Sequence, residues 1–536
     1  MRQMAIAALS VLSLSAQDSA PVWKHYQKHE APKLLPWLQE VIRFPTVAGN
    51  TQAWTDQKVW LQARAEELGF AFKDTGAVFE IELPGPPVEG KAAPVIGLVI
   101  HGDVQPVDAS HWSFPPFAGT VKDGSVIGRG AADDKGPLVQ ALLAMKALKE
   151  SGLPRTHTLR MLVGSDEESG SSDMGIYLKD HRAPDYSLVL DSAFPVVAGE
   201  KAWNALTVET DLANRGSALL EVASLRAGLA PSIVPDEATV QVQIDKINAP
   251  YLADLEKRIS RKHPPQGTRL GPLVAPLMDH KASGSSTVER VPQDKNAEAS
   301  PNEWPSHETL ASNLTVHGKA AHAGVNAEGG RNALVALADL VTDELPDSGA
   351  KDLLAFARLA GQNLTGTGLG LTQTDPIFGK ATVVPTLLQM EPDGKAKLTI
   401  NIRSTPALSG EALKAHLFAQ IAAFNAKTGA HLEPGGFFAD TPLVFDPQAK
   451  LIKRLMADYT KATGEHPAPA ISGGGTYAKR IPNAIAFGMW FPDKPYPGHD
   501  VDEKVPVADL ERGEKVLIET LVDLACGAPI QEPFKP

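Results

Sequence analysis

The chain has 536 residues, with 51 Lys and Arg against 63 Asp and Glu, for a net charge of −12. That field disfavours nucleic acid and anionic membranes as partners, and the length leaves room for two or more domains. The single cysteine, Cys526, excludes an intramolecular disulfide and a cysteine-rich zinc site, so any metal must be held by His, Asp and Glu.

Residues 1–16 combine Arg2, an apolar run from Ala5 to Leu14 and the small pair Ser15-Ala16. They read as a secretory signal peptide cleaved near Ala16, and predict a periplasmic or secreted mature chain. The run is too short to span a bilayer. Val22 to Phe44 has a helical apolar pattern, with breaks predicted at Pro32 and Pro36. Thr55 to Leu68 reads as a helix closed by Gly69. Val78 to Leu83 and Val95 to Ile100 read as strands, Leu138 to Lys149 as a helix, and Thr158 to Val163 and Leu188 to Leu190 as strands. This alternation predicts an α/β domain with a mostly parallel sheet.

After about Trp203 the texture changes. Thr207 to Leu212, Ala218 to Val222, Thr239 to Ile244, Asn313 to Val316 and Lys397 to Arg403 read as strands, several with period-two alternation. Residues 263–306 are polar and Pro-rich and predict a long loop. Arg331 to Leu345 reads as a helix. Ala484 to Met489 returns to an apolar strand, followed by the loop Pro497 to Glu503. The predicted division is 17–203 and 433–536 in a catalytic domain, with 204–432 an inserted α+β domain.

Three polar clusters follow strand-like segments, about thirty residues apart: His101-Gly-Asp103, Asp133-Asp134 and Glu167-Glu168. Ligands of open α/β sheets bind past strand ends. A histidine there offers a ring nitrogen to a metal, and a carboxylate two residues on can fix its tautomer. A carboxylate such as Asp133 can bridge two cations, although Asp134 also suits an ordinary acidic helix cap. One member of a Glu pair can bind metal while the other serves as general base; alone, such a pair reads equally as a surface turn. Asp191 and His499 complete a set sufficient for two metals and a base.

In these motifs, and in Gly128-Arg-Gly-Ala-Ala-Asp-Asp-Lys-Gly136 and Gly473-Gly-Gly-Thr-Tyr477, the chain resembles metallopeptidase family 20, most of all its PepV-type and carnosinase-like dipeptidases. The resemblance implies a zinc-exopeptidase catalytic domain with an inserted lid, and two zinc ions per subunit. Ligand type alone admits manganese or cobalt. It further implies that His101 and Asp191 bind one ion, and Glu168 and His499 the other. Asp133 would bridge both, through a cis peptide to Asp134. Asp103 would orient His101, and Glu167 would be the base that activates the attacking water.

In the inserted domain, His322 in Gly318-Lys-Ala-Ala-His322 would polarise the scissile carbonyl, and Asn332 follows at the usual place. Arg403 would grip the substrate carboxylate, helped by the backbone of Gly474, Gly475 and Thr476. Ser232 stands where PepV-type enzymes carry Asn, a departure that shortens a substrate contact. The implied activity is hydrolysis of dipeptides or very short peptides with a free C-terminus. An N-acyl amino acid hydrolase or a carboxypeptidase would share the same metal chemistry, and a silent peptide-binding protein would lack a use for Glu167. With Ser232, His322 and Arg403 on one chain, a monomer is favoured over a homodimer.

Overall fold

The computed structural model describes residues 17–87, 90–262, 269–270, 309–496 and 498–530. The predicted signal peptide and nearly all of the predicted loop over 263–306 lie outside the described residues. Within that loop only Arg269–Leu270 is described, a short strand pairing with Val316 and His317.

At the start, Ala20–His25, a π-helical turn Tyr26–Glu30 and Ala31–Ile42 run on as one helical stretch. The predicted breaks at Pro32 and Pro36 do not occur. Pro32 lies in the first turn after the widened π turn, where its missing N–H costs little. Pro36 lies inside a helix whose Leu34, Trp37, Leu38, Val41 and Ile42 are buried, and that packing outweighs one lost hydrogen bond. The next helix starts at Thr51, four residues before its predicted start, because the Asn50 side chain accepts from the Ala53 N–H. Gly69 closes it in the left-handed conformation.

The first sheet has six strands in the order 71–74, 78–83, 158–164, 95–101, 186–189, 484–486. Val95–His101 runs parallel to both of its neighbours, and Tyr186–Val189 runs parallel to Ala484–Ala486. The first two strands add an antiparallel edge. Val95–His101 is buried from its second residue on, as its unbroken apolar run requires of a central parallel strand. Helix Lys135–Glu150, buried from Lys135 to Met145, covers this sheet, and Val507–Cys526 packs against that helix. The predicted strand Ala484 to Met489 is split. Gly488 takes a positive φ of 63°, and Met489–Trp490 pairs instead with Ser192–Ala193.

The second sheet is antiparallel throughout, with eight strands in the order 269–270, 309–317, 237–245, 220–227, 382–390, 395–404, 202–211, 433–439. It consists of two four-stranded halves that meet at one pair, Ala227 with Leu388. Helices Ala249–Ser260 and Ala333–Val341 pack on the first half, and Gly349–Ala360 and Gly410–Thr428 on the second. The predicted helix over 331–345 is shorter. Asn332 caps it, and a 3-10 turn at Thr342–Glu344 ends it. The two large cores separate along the sequence: one draws on 22–198 and 443–530, the other on 206–432.

Parallel strands 95–101, 158–164 and 186–189 end on the same side, with His101 in register with Gly164 and Val99 with Val189. The three polar clusters therefore leave the sheet together. Gly102 is closely packed there: a Cβ would lie 2.2 Å from Gln57 Nε2 and 3.0 Å from Trp54, so the Gln57 side chain would have to move.

Leu388 has no exposed surface at the junction of the two halves. Leu388→Ala should remove about 2–5 kcal/mol from unfolding of this second core. Urea denaturation followed by tryptophan fluorescence measures it, and a loss below about 1 kcal/mol would mean that the halves do not share a core.

Candidate active site

Past these strand ends lie two groups of metal-ligating side chains that share Asp133: His101, Asp133 and Asp191, and Asp133, Glu168 and His499. In each group the ligand atoms lie within 4.8 Å of one another. His101 Nδ1 lies 2.9 Å from the carbonyl oxygen of Asp103, which can only accept. Nδ1 must therefore carry a proton, and Nε2 faces Asp133 Oδ1 at 2.9 Å and Asp191 Oδ2 at 3.9 Å. His499 Nε2 faces Glu168 Oε2 at 3.0 Å and Asp133 Oδ2 at 3.3 Å. His499 itself adopts a left-handed φ of 63°, a backbone state that a non-glycine residue holds only where its surroundings enforce it.

The electrostatics are one-sided. Asp103, Asp133 and Asp134 are buried, and Glu167, Glu168 and Asp191 are half-buried beside them. Burial raises the Glu167 and Asp191 carboxyls well above their ordinary range, and neighbouring carboxylates add to the rise. Burial opposes a charge on His499, yet Glu168 and Asp133 outweigh it and push its pKa to about 9. His101 is also raised, Asp133 outweighing burial. A cation between these groups meets the same need as imidazolium protons, and the donor set of nitrogen and carboxylate oxygen suits zinc-like divalent ions.

Supporting residues aim these ligands. The Asp103 carboxylate accepts the N–H groups of Glu167 and Glu168, so it fixes the Glu turn, while its carbonyl orients His101. Burial lifts Asp103 to about 7. Asp133–Asp134 is a cis peptide, as expected. The Asp134 carboxylate makes no cap bond to the helix that follows and accepts from the His101 N–H instead. Glu503 accepts from Arg129 and from the N–H groups of Gly130, Ala132 and Asp133, which anchors the Asp133 loop. Tyr496 donates to Asp133 Oδ2.

Beside the clusters opens a cavity of about 270 Å³, lined by Glu167, Glu168, Ser232, His322, Arg403, Gly475, Thr476 and His499 among others. A smaller one of about 40 Å³ continues to Asp133 and Asp191. The Glu167 carboxylate lines both and forms no hydrogen bond or ion pair among the described residues. His322 comes from the second sheet unit and stacks on His499 with ring centres 4.4 Å apart. Its Nδ1 accepts from the N–H groups of Gly324 and Val325. Burial, with His499 and Arg403 nearby, holds the ring well below the usual histidine range. The neutral ring therefore carries its proton on Nε2, as a hydrogen-bond donor.

Arg403 is buried, and its Nε donates to Asn401. It forms no salt bridge among the described residues, whereas neighbouring Lys479 and Arg480 pair with Asp440. Burial brings Arg403 down to about 10. A buried guanidinium without a carboxylate is costly, and an anionic ligand in the cavity would supply the missing partner. Gly324 and Gly473 bring the two units together here. A Cβ on Gly473 would lie 2.0 Å from Gly324 O, and one on Gly324 would lie 2.6 Å from Arg403 Nε.

The remaining expected residues divide. Ser232 accepts from Gln105, whose Nε2 also donates to Glu168. Thr476 is committed to Glu200 through both N–H and hydroxyl, and Gly474 N–H to Ser472. Gly475 keeps its N–H without a hydrogen bond among the described residues. Asn332 lies away from the cavity: its side chain accepts from Val335 N–H and donates to Pro385 O. Gln105, Arg129, Tyr496 and Glu503 did not stand out in the sequence. Gln105 follows Asp103 by two residues and Tyr496 precedes His499 by three, while Arg129 and Glu503 lie within the segments 128–136 and 497–503; this nearness is the signal that could have found them.

Residues 97–523 match Peptidase family M20/M25/M40. "Putative dipeptidase YtjP" of Bacillus subtilis is 27% identical over 439 residues, covering 81% of this chain and 84% of its own. A "Putative dipeptidase" of Staphylococcus epidermidis is 24% identical, covering 94% and 99%. Among solved structures, human carnosine dipeptidase 1 aligns with a TM-score of 0.57 at 13% identity, over 94% of this chain and 98% of that one. The dipeptidase Dug1p of Saccharomyces cerevisiae aligns with a TM-score of 0.54 at 13% identity, over 95% and 99%. These two likenesses are of fold.

The place of Asn332 is testable. Asn332→Ala should cost about 0.5–2 kcal/mol of stability as a lost cap, measured by thermal unfolding, while kcat/KM stays within twofold. A large fall in kcat/KM at unchanged stability would return Asn332 to the substrate.

Proposed function

The chain belongs to peptidase family M20/M25/M40, and from that premise we propose that it is a two-metal dipeptidase acting on short peptides with a free C-terminal carboxylate. One observation carries the reading: the Glu167 carboxylate and the Arg403 guanidinium, neither in a salt bridge among the described residues, line one small cavity with a neutral His322, beside the two clusters that share Asp133.

His101, Asp133 and Asp191 would hold one cation, and Asp133, Glu168 and His499 the other, with zinc the proposed ion. When bound, such a pair lowers the pKa of water and polarises a carbonyl. Glu167 takes the proton from the attacking water and passes it to the leaving amine. The Nε2–H of His322 donates to the oxygen on which negative charge develops. Arg403, with the Gly475 N–H, holds the substrate carboxylate and so fixes the distance from the C-terminus to the scissile bond. Ser232 and Gln105 hold Glu168 from the substrate side.

We read residues 17–201 and 440–536 as the catalytic domain and 202–439 as a lid, slightly wider than the expected 204–432 because strands 202–211 and 433–439 both belong to the lid sheet. The two halves of its sheet, joined at Ala227 and Leu388, make the lid double within one chain. His322 reaches the cavity of its own chain. Both features favour a working monomer. Export through residues 1–16 belongs to the same proposal; among the described residues no helix is long and apolar enough to cross a membrane.

A panel of a free dipeptide, its N-acetyl form, its C-terminal amide and a tripeptide tests the reading. Cleavage of the free dipeptide alone, abolished by a chelator and restored by zinc, is expected. Preference for the acetylated form would assign an acylase instead. Glu167→Ala should lower kcat by about 10²–10⁴-fold with metal content unchanged. Activity within tenfold of the parent would remove Glu167 from the role of base.

A further inference from the structure

A third group of metal-ligating side chains lies outside the site: His111, Glu237 and His317, with ligand atoms within 4.8 Å of one another. His111 ends a short 3-10 turn, Ala109–His111, in the catalytic unit. Glu237 opens one lid strand and His317 closes its neighbour, and the two residues face each other across the strand pair. All three are half-buried, so an ion could enter from solvent.

The hydrogen bonding leaves three lone pairs facing inward. His111 Nδ1 lies 2.8 Å from Asp236 Oδ2, so Nδ1–H donates to the carboxylate and Nε2 is left as the ligand atom. A histidine metal ligand is commonly oriented by a carboxylate in this way. Arg226 holds Glu237 Oε1. Oε2 lies 3.8 Å from His111 Nε2 and 3.6 Å from His317 Nδ1. A tetrahedral ion with ligands about 2.0–2.1 Å away has edges of about 3.4 Å, so these two edges need a contraction of a few tenths of an ångström, and the third, from His111 to His317 and within 4.8 Å, closes with them as the ion binds. Two imidazoles and one carboxylate with an open fourth position form a zinc-type donor set.

We propose that His111, Glu237 and His317 bind a third divalent cation of the zinc class, and that this ion clips the lid to the catalytic unit. Its position gives it leverage on the cavity. Glu237 follows the Ser232-Ile-Val-Pro-Asp236 run, which supplies Ser232. His317 begins the segment that supplies His322, and Ile233 and His322 pair directly. An ion at this site fixes the roots of both segments and holds the lid down over the cavity. Availability of free cation then regulates opening, separately from the two ions of the catalytic clusters.

Equilibrium dialysis against zinc, with metal counted per chain, tests this. The parent should bind one ion more than His111→Ala or His317→Ala, and Asp236→Asn should weaken that ion about 10–100-fold. Asp133→Asn removes the ligand shared by the catalytic clusters, so it should still bind the third ion; this keeps the outcome independent of the dipeptidase reading. Excess zinc should lower kcat in the parent and not in His317→Ala. Equal stoichiometry in the parent and both histidine variants would overturn the proposal, as would zinc inhibition that survives in His317→Ala.

Discussion

The structure depends on an unbalanced group of carboxylates around Asp133. Asp103, Asp134, Glu167, Glu168 and Asp191 crowd the same space with little access to water. Carboxylates at such separation do not all stay ionised unless positive charge compensates them. His101 and His499 face their Nε2 atoms to the acids, where an imidazolium proton or a cation in its place supplies that charge. A cation compensates several carboxylates at once, which accounts for the burial of so costly a group. The surrounding devices serve to hold it: Glu503 gathers the backbone of the Asp133 loop, and Asp103 gathers the backbone of the Glu pair.

The rest of the fold can be understood as a way of delivering charge to that centre. Three parallel strands end together and release His101, the Glu pair and Asp191 on one side. The second sheet unit brings the opposite charge and a neutral donor, in Arg403 and His322. Between them the cavity runs from Arg403, which has no salt bridge among the described residues, to an anionic end at Asp133 and Asp191. That polarity underlies the proposal of a ligand with a carboxylate at one end and an electrophilic carbonyl near the other. Gly324 against Gly473 sets how closely the two units approach, since neither position has room for a Cβ.

Much of this was legible in the sequence because the relevant signals are local. A buried parallel strand is an unbroken apolar run, and the residue just past its end lies at the ligand-binding edge; His101 and Glu167 follow directly. Boundaries failed where a tertiary or backbone feature overrode local preference. A π turn carried the first helix past Pro32, and Gly488 split the last apolar strand. Asn332 matched a motif, but its side chain is spent on capping a helix. Thr476 likewise is spent on Glu200, a partner 276 residues away that no local pattern reveals. Gln105, Tyr496 and Glu503 act through hydrogen bonds to Glu168 and Asp133, distant in sequence, which spacing alone does not reveal.

The central claim is that the Asp133 carboxylate sits between two cations. Anomalous diffraction at the zinc edge, from crystals of the zinc-loaded protein, measures it directly. The account predicts two peaks flanking Asp133, one against His101 and Asp191 and the other against Glu168 and His499. A single peak, or two peaks with Asp133 contacting only one, would contradict it.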